Sequence, residues 1–241
     1  MTTKEHYDNH LGNFYSWMIG DLEAKQTEFQ DFLIEQNLLP QSSKIAIDLG
    51  AGNGVQTVPL AKMGYAVKAI DFNKQLLDEL AENTKNLNVE IINADIKNFN
   101  KFSGQNPELI VCCGDTIAHL DSEGEIVQLL KNISGTLTNG GKLLLTFRDY
   151  SAELTGENRF IPVKSDENKI LTCVLDYQPK YVMVTDLLHE KIENSWKQKI
   201  SSYKKVRVTT EMIVKMIEQI GMIIQFNETI NRMITIIAYK K

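Results

Sequence analysis

The sequence has little cysteine and no apolar run long enough to cross a bilayer. Its three cysteines, Cys112, Cys113 and Cys173, form no C-x-x-C pair and show no zinc-type spacing, so we predict no metal site. We expect them to be small buried hydrophobes in strands, with a reactive thiol as the alternative. No apolar stretch approaches the roughly 20 residues that span a membrane, and the opening MTTKEHYDNH has no apolar signal core. We therefore expect a cytoplasmic protein with no membrane partner.

The sequence also lacks an excess of basic residues. Its formal net charge is −5 at pH 7, so it has no general footprint for a nucleic acid, and we expect no nucleic-acid partner. Hydrophobic residues make up 43% and charged residues 24%, close to the averages of globular domains, which excludes disordered and fibrous classes. A chain of 241 residues can bury one large core, and we expect one principal domain with a modest insertion.

Short apolar runs alternate with helix-length segments between residues 44 and 150. This alternation predicts βαβ units on a parallel sheet, and therefore an α/β fold with its core at residues 41–150. Residues 1–40 carry a helical pattern that stops at Pro40, and we assign them to an N-terminal helical lid. The five strand-like runs read KIAIDLG, YAVKAID, VEIINAD, ELIVCCGD and GKLLLTFRD.

The alternation ends after residue 150. Three β-branched and aromatic runs, KILTCVLDY, YVMVTDLLHEK and WKQKISSYKKVRV, have no helix-length segment between them. Residues 151–208 are therefore predicted to form a small three-stranded antiparallel insertion on the substrate side. Residues 209–241 return to the core with one helix and two strands. Thr209 or Thr210 is the predicted N-cap of that helix, and Gly221 lies just past its end.

Four of the five strand-like runs end in aspartate. The carboxyl ends of the strands face the ligand crevice in open α/β sheets, so acids at these ends lie where chemistry is usually done. The sequence therefore predicts a binding site built around Asp48, Asp71, Asp95 and Asp115.

Three glycines on alternate positions, Gly50, Gly52 and Gly54, follow the first strand. Glycine lets a backbone turn sharply and come close to a ligand. A dinucleotide fingerprint would need its third glycine at position 55, which is Val55. Asp71, seventeen residues after Gly54, stands where a carboxylate can bind both hydroxyls of a ribose. The pattern indicates an adenosyl cofactor without a pyrophosphate; the alternative is an ordinary tight turn.

The D-x-G-x-G-x-G block, the acid of the second strand and the NAD triplet of the third together resemble class I S-adenosylmethionine-dependent methyltransferases. The resemblance implies a seven-stranded, mostly parallel Rossmann-like sheet of order 3-2-1-4-5-7-6 with an antiparallel β insertion after strand 5. It implies S-adenosyl-L-methionine as cofactor and S-adenosyl-L-homocysteine as product. By the same resemblance, Asp48 lies near the methionine amino group, Asp71 holds the ribose, and Asp95 and Ile96 lie beside the adenine.

Three stretches resemble glycine N-methyltransferase and its sarcosine-forming relatives. They are YSWMIGDLEAKQTEF (15–29), CGDTIAHLDSEGE (113–125) and FRDYSAEL (147–154). This resemblance implies that Arg148 grips a substrate carboxylate, a role that suits the fork of a guanidinium, and that Tyr203 lines the path of the transferred methyl. The further positions that it places on the cofactor side are Tyr15, Lys25, Cys113 and His119.

Three positions depart from that family pattern. Asp115 stands where the family has an asparagine that helps to bind the substrate, and Val163 and Leu188 stand where it has two tyrosines that line the glycine site. A carboxylate attracts a cationic amine more strongly than an amide does, and the loss of two phenols leaves a roomier, more apolar pocket. The departures therefore put glycine itself in question as the acceptor.

Several of these residues also have a purely structural interpretation. Arg148 can be a surface residue paired with Asp149, and His119 can be a structural histidine in an apolar setting. Asp115 can orient the accepting amine and take its proton, or it can cap the helix that follows. Tyr15 can belong only to the apolar face of an N-terminal helix.

The sequence thus predicts methyl transfer from S-adenosylmethionine to a small-molecule acceptor, at the nitrogen of an amine or amino acid. One alternative is an oxygen or sulfur acceptor, since the fold does not choose the acceptor. A nucleic-acid methyltransferase is disfavoured by the acidic balance and by CGDT in place of an N/D-P-P-Y/F motif. A non-catalytic S-adenosylmethionine-binding protein is the alternative from another class. The resemblance also leaves open a homo-oligomer formed through the N-terminal segment.

Overall fold

The computed structural model describes residues 1–104 and 106–241, which contain seven α-helices and eleven strands. The helices are α1 (Thr3–Asn9), α2 (Tyr15–Ile19), α3 (Leu22–Glu35), α4 (Thr57–Lys62), α5 (Lys74–Asn83), α6 (Glu123–Thr136) and α7 (Thr210–Gln219). The strands are β1 (Ile45–Leu49), β2 (Ala66–Asp71), β3 (Val89–Asn93), β4 (Leu109–Cys112), β5 (Lys142–Phe147), β6 (Phe160–Ser165), β7 (Lys169–Tyr177), β8 (Tyr181–Ile192), β9 (Ser195–Val206), β10 (Met222–Ile230) and β11 (Met233–Lys240).

Seven of the strands form one sheet in the order β10-β11-β5-β4-β1-β2-β3. Strands β1 to β5 are parallel to their neighbours, β11 is antiparallel to β5, and β10 is antiparallel to β11. Numbered within this sheet the order is 3-2-1-4-5-7-6, so the predicted fold is confirmed. Asp48 of β1 lies in register with Ala69 of β2 and Val111 of β4. The carboxyl ends of these strands therefore meet at one edge.

Both faces of this sheet are buried under helices. Ile47 and Ile110 belong to the apolar cluster that includes α6 and α7, whereas Ala46 and Val111 belong to the cluster that includes α3 and α4. Successive residues of a strand point to opposite faces, so each central strand supplies apolar side chains to both clusters. This arrangement explains why the runs in β1 and β4 are almost continuously apolar.

A second sheet of four antiparallel strands, in the order β6-β7-β8-β9, follows β5. The predicted count of three was wrong because β6 was missed. Most of β6 is exposed, and its register shifts between Pro162 and Lys164. Proline is confined to edges and bulges in sheets, and an exposed edge strand has no apolar alternation from which to predict it.

The helical pattern predicted for the N-terminal segment corresponds to three α-helices, α1, α2 and α3. Gly20, with φ +84°, ends α2, and Asp21 caps α3 by accepting a hydrogen bond from the backbone N–H of Ala24 at 3.0 Å. Leu11 and neighbouring side chains pack against Leu171 of β7 and Leu188 of β8. The part of the segment before α3 therefore lies over the second sheet, whereas Leu33 of α3 packs on the seven-stranded sheet.

The three cysteines are buried or half-buried in strands or at their ends. Cys112 and Cys113 are buried at the end of β4, as predicted, and Cys173 is half-buried in β7. Burial raises the pKa of the Cys173 thiol to about 12, which disfavours the reactive thiolate. Within residues 1–104 and 106–241, no helix has the length and apolar character needed to cross a membrane.

Candidate active site

A cavity of about 790 Å³ lies where the edge of the seven-stranded sheet, the second sheet and the N-terminal segment meet. Among the predicted site residues, those that line it are Tyr15, Lys25, Gly50, Cys113, Asp115, His119, Arg148 and Tyr203. Those that lie outside its wall are Asp48, Gly52, Gly54, Asp71, Asp95 and Ile96. The structure therefore brings the three residues predicted to face the substrate together with five of the predicted cofactor residues. All three predicted cofactor acids lie outside this wall.

The glycines after β1 have different physical roles. Gly50 and Gly54 have φ values of +81° and +101°, which L side chains rarely adopt. A Cβ on Gly54 would lie 2.6 Å from Cδ1 of the buried Leu80, so this position is closed by packing. A Cβ on Gly52 would meet nothing closer than the Tyr15 ring and hydroxyl at 3.8 Å. Unlike Gly54, Gly52 leaves room for a ligand beside its backbone.

Asp48 ends β1 as a buried carboxylate with one unpartnered oxygen. Its Oδ2 accepts a hydrogen bond from the Thr57 hydroxyl at 2.6 Å, while its Oδ1 is buried and has no hydrogen-bond partner among the described residues. Burial raises the pKa of Asp48 to about 7 against the opposing effect of the Thr57 hydrogen bond. A buried acceptor without a donor is costly, so this oxygen suits a cationic or N–H group of a ligand.

Asp71 ends β2 with both carboxylate oxygens held by backbone. Oδ2 accepts from Gly52 N–H at 2.9 Å and Oδ1 from Asn73 N–H at 2.8 Å. Burial raises the pKa of Asp71 in spite of these hydrogen bonds. Each carboxylate oxygen has a second lone pair, so both can still accept from hydroxyls. The Asn73 side chain also donates to Asp8 at 2.9 Å, which brings α1 over this end of the crevice.

Asp95 and Ile96 lie farther from the cavity. Asp95 caps the short 3-10 helix Ile96–Lys101, accepting from Lys97 N–H at 2.8 Å, and its Oδ2 lies 3.5 Å from Lys97 Nζ. Ile96 is buried in the main core beside Phe99. Their predicted places beside an adenine stay a prediction.

Asp115 follows β4 in a left-handed conformation, with φ +72°, at the centre of a buried network. Its Oδ1 accepts from Arg148 N–H at 2.9 Å, and its Oδ2 accepts from the Tyr150 hydroxyl and from Lys205 Nζ, each at 2.7 Å. It makes no side-chain hydrogen bond to the following 3-10 helix Thr116–His119, so the capping interpretation is wrong. Three protein donors on one carboxylate indicate a positioning role.

The charges of this network support the same conclusion. Burial raises the pKa of Asp115, but the charge of Lys205, the His119 ring and the hydrogen bonds to this carboxylate together hold that pKa below its usual range. Burial opposes charge on Lys205 as well, but Asp115 and the two neighbouring tyrosines together raise the pKa of Lys205 well above its usual value. Both groups are therefore ionised near neutral pH, and a carboxylate of lowered pKa is a weak general base.

Sequence reasoning missed Lys205, although the pattern of β9 contains a signal for it. Alternate residues of a strand share a face, and on this strand Ser201, Tyr203 and Lys205 are all buried. A lysine on a buried face is rare unless it is paired, so its position in SSYKK predicts a buried acid as partner. The sequence alone does not say which acid.

Arg148 lines the cavity with an exposed guanidinium. Among residues 1–104 and 106–241, no acidic side chain lies within 4 Å of it. The Asp149 carboxylate instead accepts from Ser151 and Thr210. The alternative of an Arg148–Asp149 ion pair is therefore wrong, and the guanidinium is free to meet an anion from the cavity.

Tyr203 stacks between two histidine rings. Its ring centroid lies 4.1 Å from that of His6 and 5.5 Å from that of His119. Its hydroxyl has no protein partner in the part of the chain that the structure describes. Burial, with the charge of Lys205, lowers the pKa of His119 to about 3, so this imidazole is neutral, and its Nδ1 is buried with no described partner.

Comparison with known proteins bears on this arrangement. A sequence profile described as "Methyltransferase domain" matches residues 46–141. Over 204 residues the chain is 28% identical to glycine N-methyltransferase of Oryctolagus cuniculus, covering 75% of this chain and 68% of that protein.

Solved structures share the whole fold. A S-adenosylmethionine-dependent methyltransferase from Clostridium acetobutylicum superposes with a TM-score of 0.73 at 17% identity, over 97% of this chain and 96% of that chain. CalS10, an amino pentose methyltransferase from Micromonospora echinaspora solved with S-adenosylmethionine bound, gives a TM-score of 0.75 at 13% identity, over 93% and 94% of the two chains. Residues 46–141 therefore form a methyltransferase domain, and the chain has the fold of class I S-adenosylmethionine-dependent methyltransferases.

The residues of this methyltransferase fit its cofactor at four points. The unpartnered Oδ1 of Asp48 suits the ammonium of S-adenosylmethionine, and the remaining lone pairs of Asp71 suit its ribose hydroxyls. Lys25 is exposed at the cavity wall, where its charge suits the cofactor carboxylate. Gly52 leaves space beside Tyr15, whose pKa burial raises to about 12, so the phenol is neutral.

The two positions where the glycine N-methyltransferase pattern has tyrosines, Val163 and Leu188, lie in different parts of this methyltransferase. Val163 lines the cavity and is 41% exposed. Leu188 instead packs under the N-terminal segment and is not part of the cavity wall. Leu188 therefore does not widen the pocket directly.

Cys113 lines the wall beside Gly114, and it is a buried thiol whose pKa burial raises.

Proposed function

We propose that this methyltransferase transfers the methyl group of S-adenosylmethionine to the nitrogen of a small-molecule acceptor that carries an anionic group and is larger than glycine. The observation that carries the proposal is the cavity of about 790 Å³, whose wall includes both the unpaired guanidinium of Arg148 and the Tyr203 ring. Nitrogen as acceptor atom is supported by the likeness to a glycine N-methyltransferase.

Arg148 is the proposed anchor for the anion. A guanidinium grips a carboxylate with two parallel hydrogen bonds, which fixes orientation as well as position. The backbone N–H of Arg148 is held by Asp115, and Asp115 is held in turn by Lys205 and Tyr150. The buried network therefore positions the anchor while leaving its side chain free for the acceptor.

The reaction needs no nucleophilic residue from the protein. The sulfonium of bound S-adenosylmethionine supplies an activated methyl group. The protein has to hold the acceptor nitrogen in line with that methyl in a site from which water is excluded, and such positioning lowers the barrier by several kcal/mol. Tyr203 is the proposed wall of this path, since its ring is fixed by His6 and His119 and its hydroxyl has no described protein partner.

The size of the acceptor is inferred from the apolar part of the wall. Side chains of the second sheet that face the cavity include Ile161, Leu171, Leu175 and Val184, together with the exposed Val163. Apolar pockets favour apolar ligand groups of matching size, which glycine lacks. We therefore propose an amino acid or similar zwitterion with an apolar side chain.

Formation of S-adenosylhomocysteine by the purified protein tests the proposal. We expect turnover with an amino acid such as L-leucine or L-phenylalanine to exceed turnover with glycine. Cofactor binding without turnover on glycine, L-leucine or L-phenylalanine would contradict the proposal and support a non-catalytic binding protein. A methylated oxygen or sulfur in the product, identified by mass fragmentation, would contradict nitrogen as the acceptor.

Arg148→Met tests the anchor separately. We expect KM for the carboxylated acceptor to rise about 10- to 100-fold, because a hydrogen bond to a charged group contributes roughly 1.5–3 kcal/mol. Arg159→Met is the matched control, since Arg159 pairs with Asp176 and does not line the cavity. An unchanged KM and kcat in Arg148→Met would contradict the anchor role.

A further inference from the structure

Asp186 is a buried carboxylate on the cavity wall that has no role in the proposed function. It lies in β8, is 5% exposed and faces the cavity. In the antiparallel register it pairs with Cys173 of β7 and with Ser201 of β9. It therefore occupies the middle of the second sheet, on the face that covers the site.

The hydrogen bonding of Asp186 is incomplete. Its near polar neighbour is His6, whose Nε2 lies 3.2 Å from Asp186 Oδ2, but that nitrogen forms no hydrogen bond of acceptable geometry. His6 is held by its other nitrogen, since Nδ1 lies 2.8 Å from Ser201 Oγ. The Cys173 thiol, on the register partner of Asp186, is placed to share a hydrogen bond with this carboxylate, but S–H is a weak donor. No N–H or O–H donor in residues 1–104 and 106–241 forms a hydrogen bond with the Asp186 carboxylate.

The other carboxylates on the cavity wall have such donors. Asp115 accepts from three groups, Asp149 accepts from Ser151 and Thr210, and Glu28 accepts from Asn231. A buried carboxylate is stable only when donors or a cation satisfy it. Asp186 differs from the other three because its protein donor is only the weak Cys173 thiol, so it can still take a stronger N–H donor from the cavity.

Asp186 is also close to the proposed path of the methyl. Val184 pairs with Tyr203 and Asp186 pairs with Ser201, so Asp186 and Tyr203 are diagonal neighbours on one face, a relation that separates Cα atoms by about 7–8 Å. Arg148 and Cys173 line the same cavity as Asp186. The anion anchor and Asp186 thus face one space.

We infer that Asp186, held beside His6, is the subsite that binds the amine of the acceptor. The ammonium of the acceptor releases one proton to solvent before the methyl transfer, and the Asp186 carboxylate accepts a hydrogen bond from a remaining N–H. The lone pair of the nitrogen is then free to face the methyl beside Tyr203. Arg148 binds the anionic end of the same molecule, so the site selects a zwitterionic amino acid over a simple carboxylic acid. The inference rests on the proposed function. The alternative is that Asp186 and His6 only hold α1 against the second sheet.

Titration calorimetry in the presence of S-adenosylhomocysteine tests the subsite with named probes. Glycine, L-alanine, L-leucine and L-phenylalanine are compared with acetate, propionate, 4-methylpentanoate and 3-phenylpropanoate, which lack the amine. We expect the wild-type protein to bind at least one amino acid about tenfold or more tightly than its counterpart, since a hydrogen bond to a charged group contributes roughly 1.5–3 kcal/mol. Equal affinities for every pair in the wild type would overturn the inference without any variant.

Two variants, Asp186→Asn and Asp186→Glu, then test whether this side chain causes the preference for an amino acid over its amine-free counterpart. We expect Asp186→Asn to lose most of the preference, and Asp186→Glu, which keeps the charge, to retain part of it. Asp176→Asn is the matched control, because Asp176 belongs to the same sheet, does not line the cavity and pairs with Arg159. A role confined to holding α1 would weaken both members of each pair equally.

The outcomes separate the inference from the proposed function. If Asp186→Asn keeps the wild-type preference while the protein still methylates an amine, the inference is wrong and the proposed function stands. If no amine of the panel is methylated by the wild-type protein, the proposed function fails, and the inference fails with it. Thermal unfolding and S-adenosylhomocysteine affinity of each variant show whether the variant is folded.

Discussion

Lys205 of β9 and Asp115 after β4 form a buried ion pair, with Lys205 Nζ 2.7 Å from Asp115 Oδ2. The two residues are 90 positions apart in the chain. Their contact joins the second sheet to the edge of the seven-stranded sheet, and the same carboxylate holds the backbone of Arg148. The pair therefore couples the position of the proposed anchor to the packing of the insertion.

Removal of the lysine should destabilise the protein strongly. Lys205→Met leaves Asp115 charged and without its cation, and loss of one partner of a buried pair costs about 3–5 kcal/mol. Lys204→Met is the matched control, because Lys204 is exposed on the same strand. Chemical denaturation should show a large decrease in the free energy of unfolding for the first variant only. Equal decreases would mean that the ion pair contributes nothing specific.

The raised pKa of Asp48 predicts a pH dependence of stability. A carboxyl whose pKa is about 7 in the fold and near 4 in the unfolded chain binds its proton more tightly when folded. Its contribution is therefore complete below pH 4 and is lost as the pH rises towards 7, at up to about 1.4 kcal/mol per pH unit. Unfolding between pH 4 and 8 should show this loss in the wild type and not in Asp48→Asn, which keeps an acceptor for Thr57.

The two glycines that flank Asn53 should respond differently to alanine. Gly54→Ala places a Cβ 2.6 Å from Leu80 at φ +101°, so strain and overpacking together should cost about 2–5 kcal/mol of unfolding free energy. Gly52→Ala, at φ +52°, places a Cβ in ordinary contact with Tyr15 at 3.8 Å and should cost about 1–2 kcal/mol while weakening S-adenosylhomocysteine binding. Calorimetry and denaturation measure the two effects, and unchanged binding in Gly52→Ala would contradict the approach of the cofactor to this backbone.

Substitutions of two tyrosines that line the cavity should have separate effects, one on turnover and the other on stability. Tyr203→Phe keeps the stacking on His6 and His119, so the free energy of unfolding should change by less than about 1 kcal/mol while kcat falls on the order of tenfold. Tyr150→Phe removes a hydrogen bond to the buried Asp115 and should lower the unfolding free energy by about 1.5–3 kcal/mol. If Tyr203→Phe left kcat unchanged, its hydroxyl would have no part in the methyl path.

Much of the fold could be predicted because its signals are local. The alternation of apolar runs with helical segments, the glycines after β1 and the final helix all depend on residues close in sequence. Thr209 caps α7 as predicted, and Gly221 with φ +81° lies just past its end. β6 was missed because exposed edge residues carry no periodic apolar signal, and Pro162 argued against a strand.

The site was predictable only where a residue follows a strand. Arg148 and Asp115 could be placed at the edge of the sheet from their positions after β5 and β4. The partner of Asp115 could not, because hydrogen-bond partners depend on how the second sheet folds back over that edge. His6 and Asp186 were missed for the same reason, since neither belongs to a sequence motif and their proximity arises from the packing of α1 on β8 and β9.

The sequence by itself determined the order of elements, the crevice with its acids and the class of cofactor. These follow from hydrophobic periodicity and from glycine, whose conformational freedom is an intrinsic property of the residue. Only the tertiary structure decided which acids are free to act. It pairs Asp115 with Lys205 and leaves Asp186 and Arg148 facing the cavity, because charge pairing in a buried site depends on distances of a few ångströms between residues far apart in the chain.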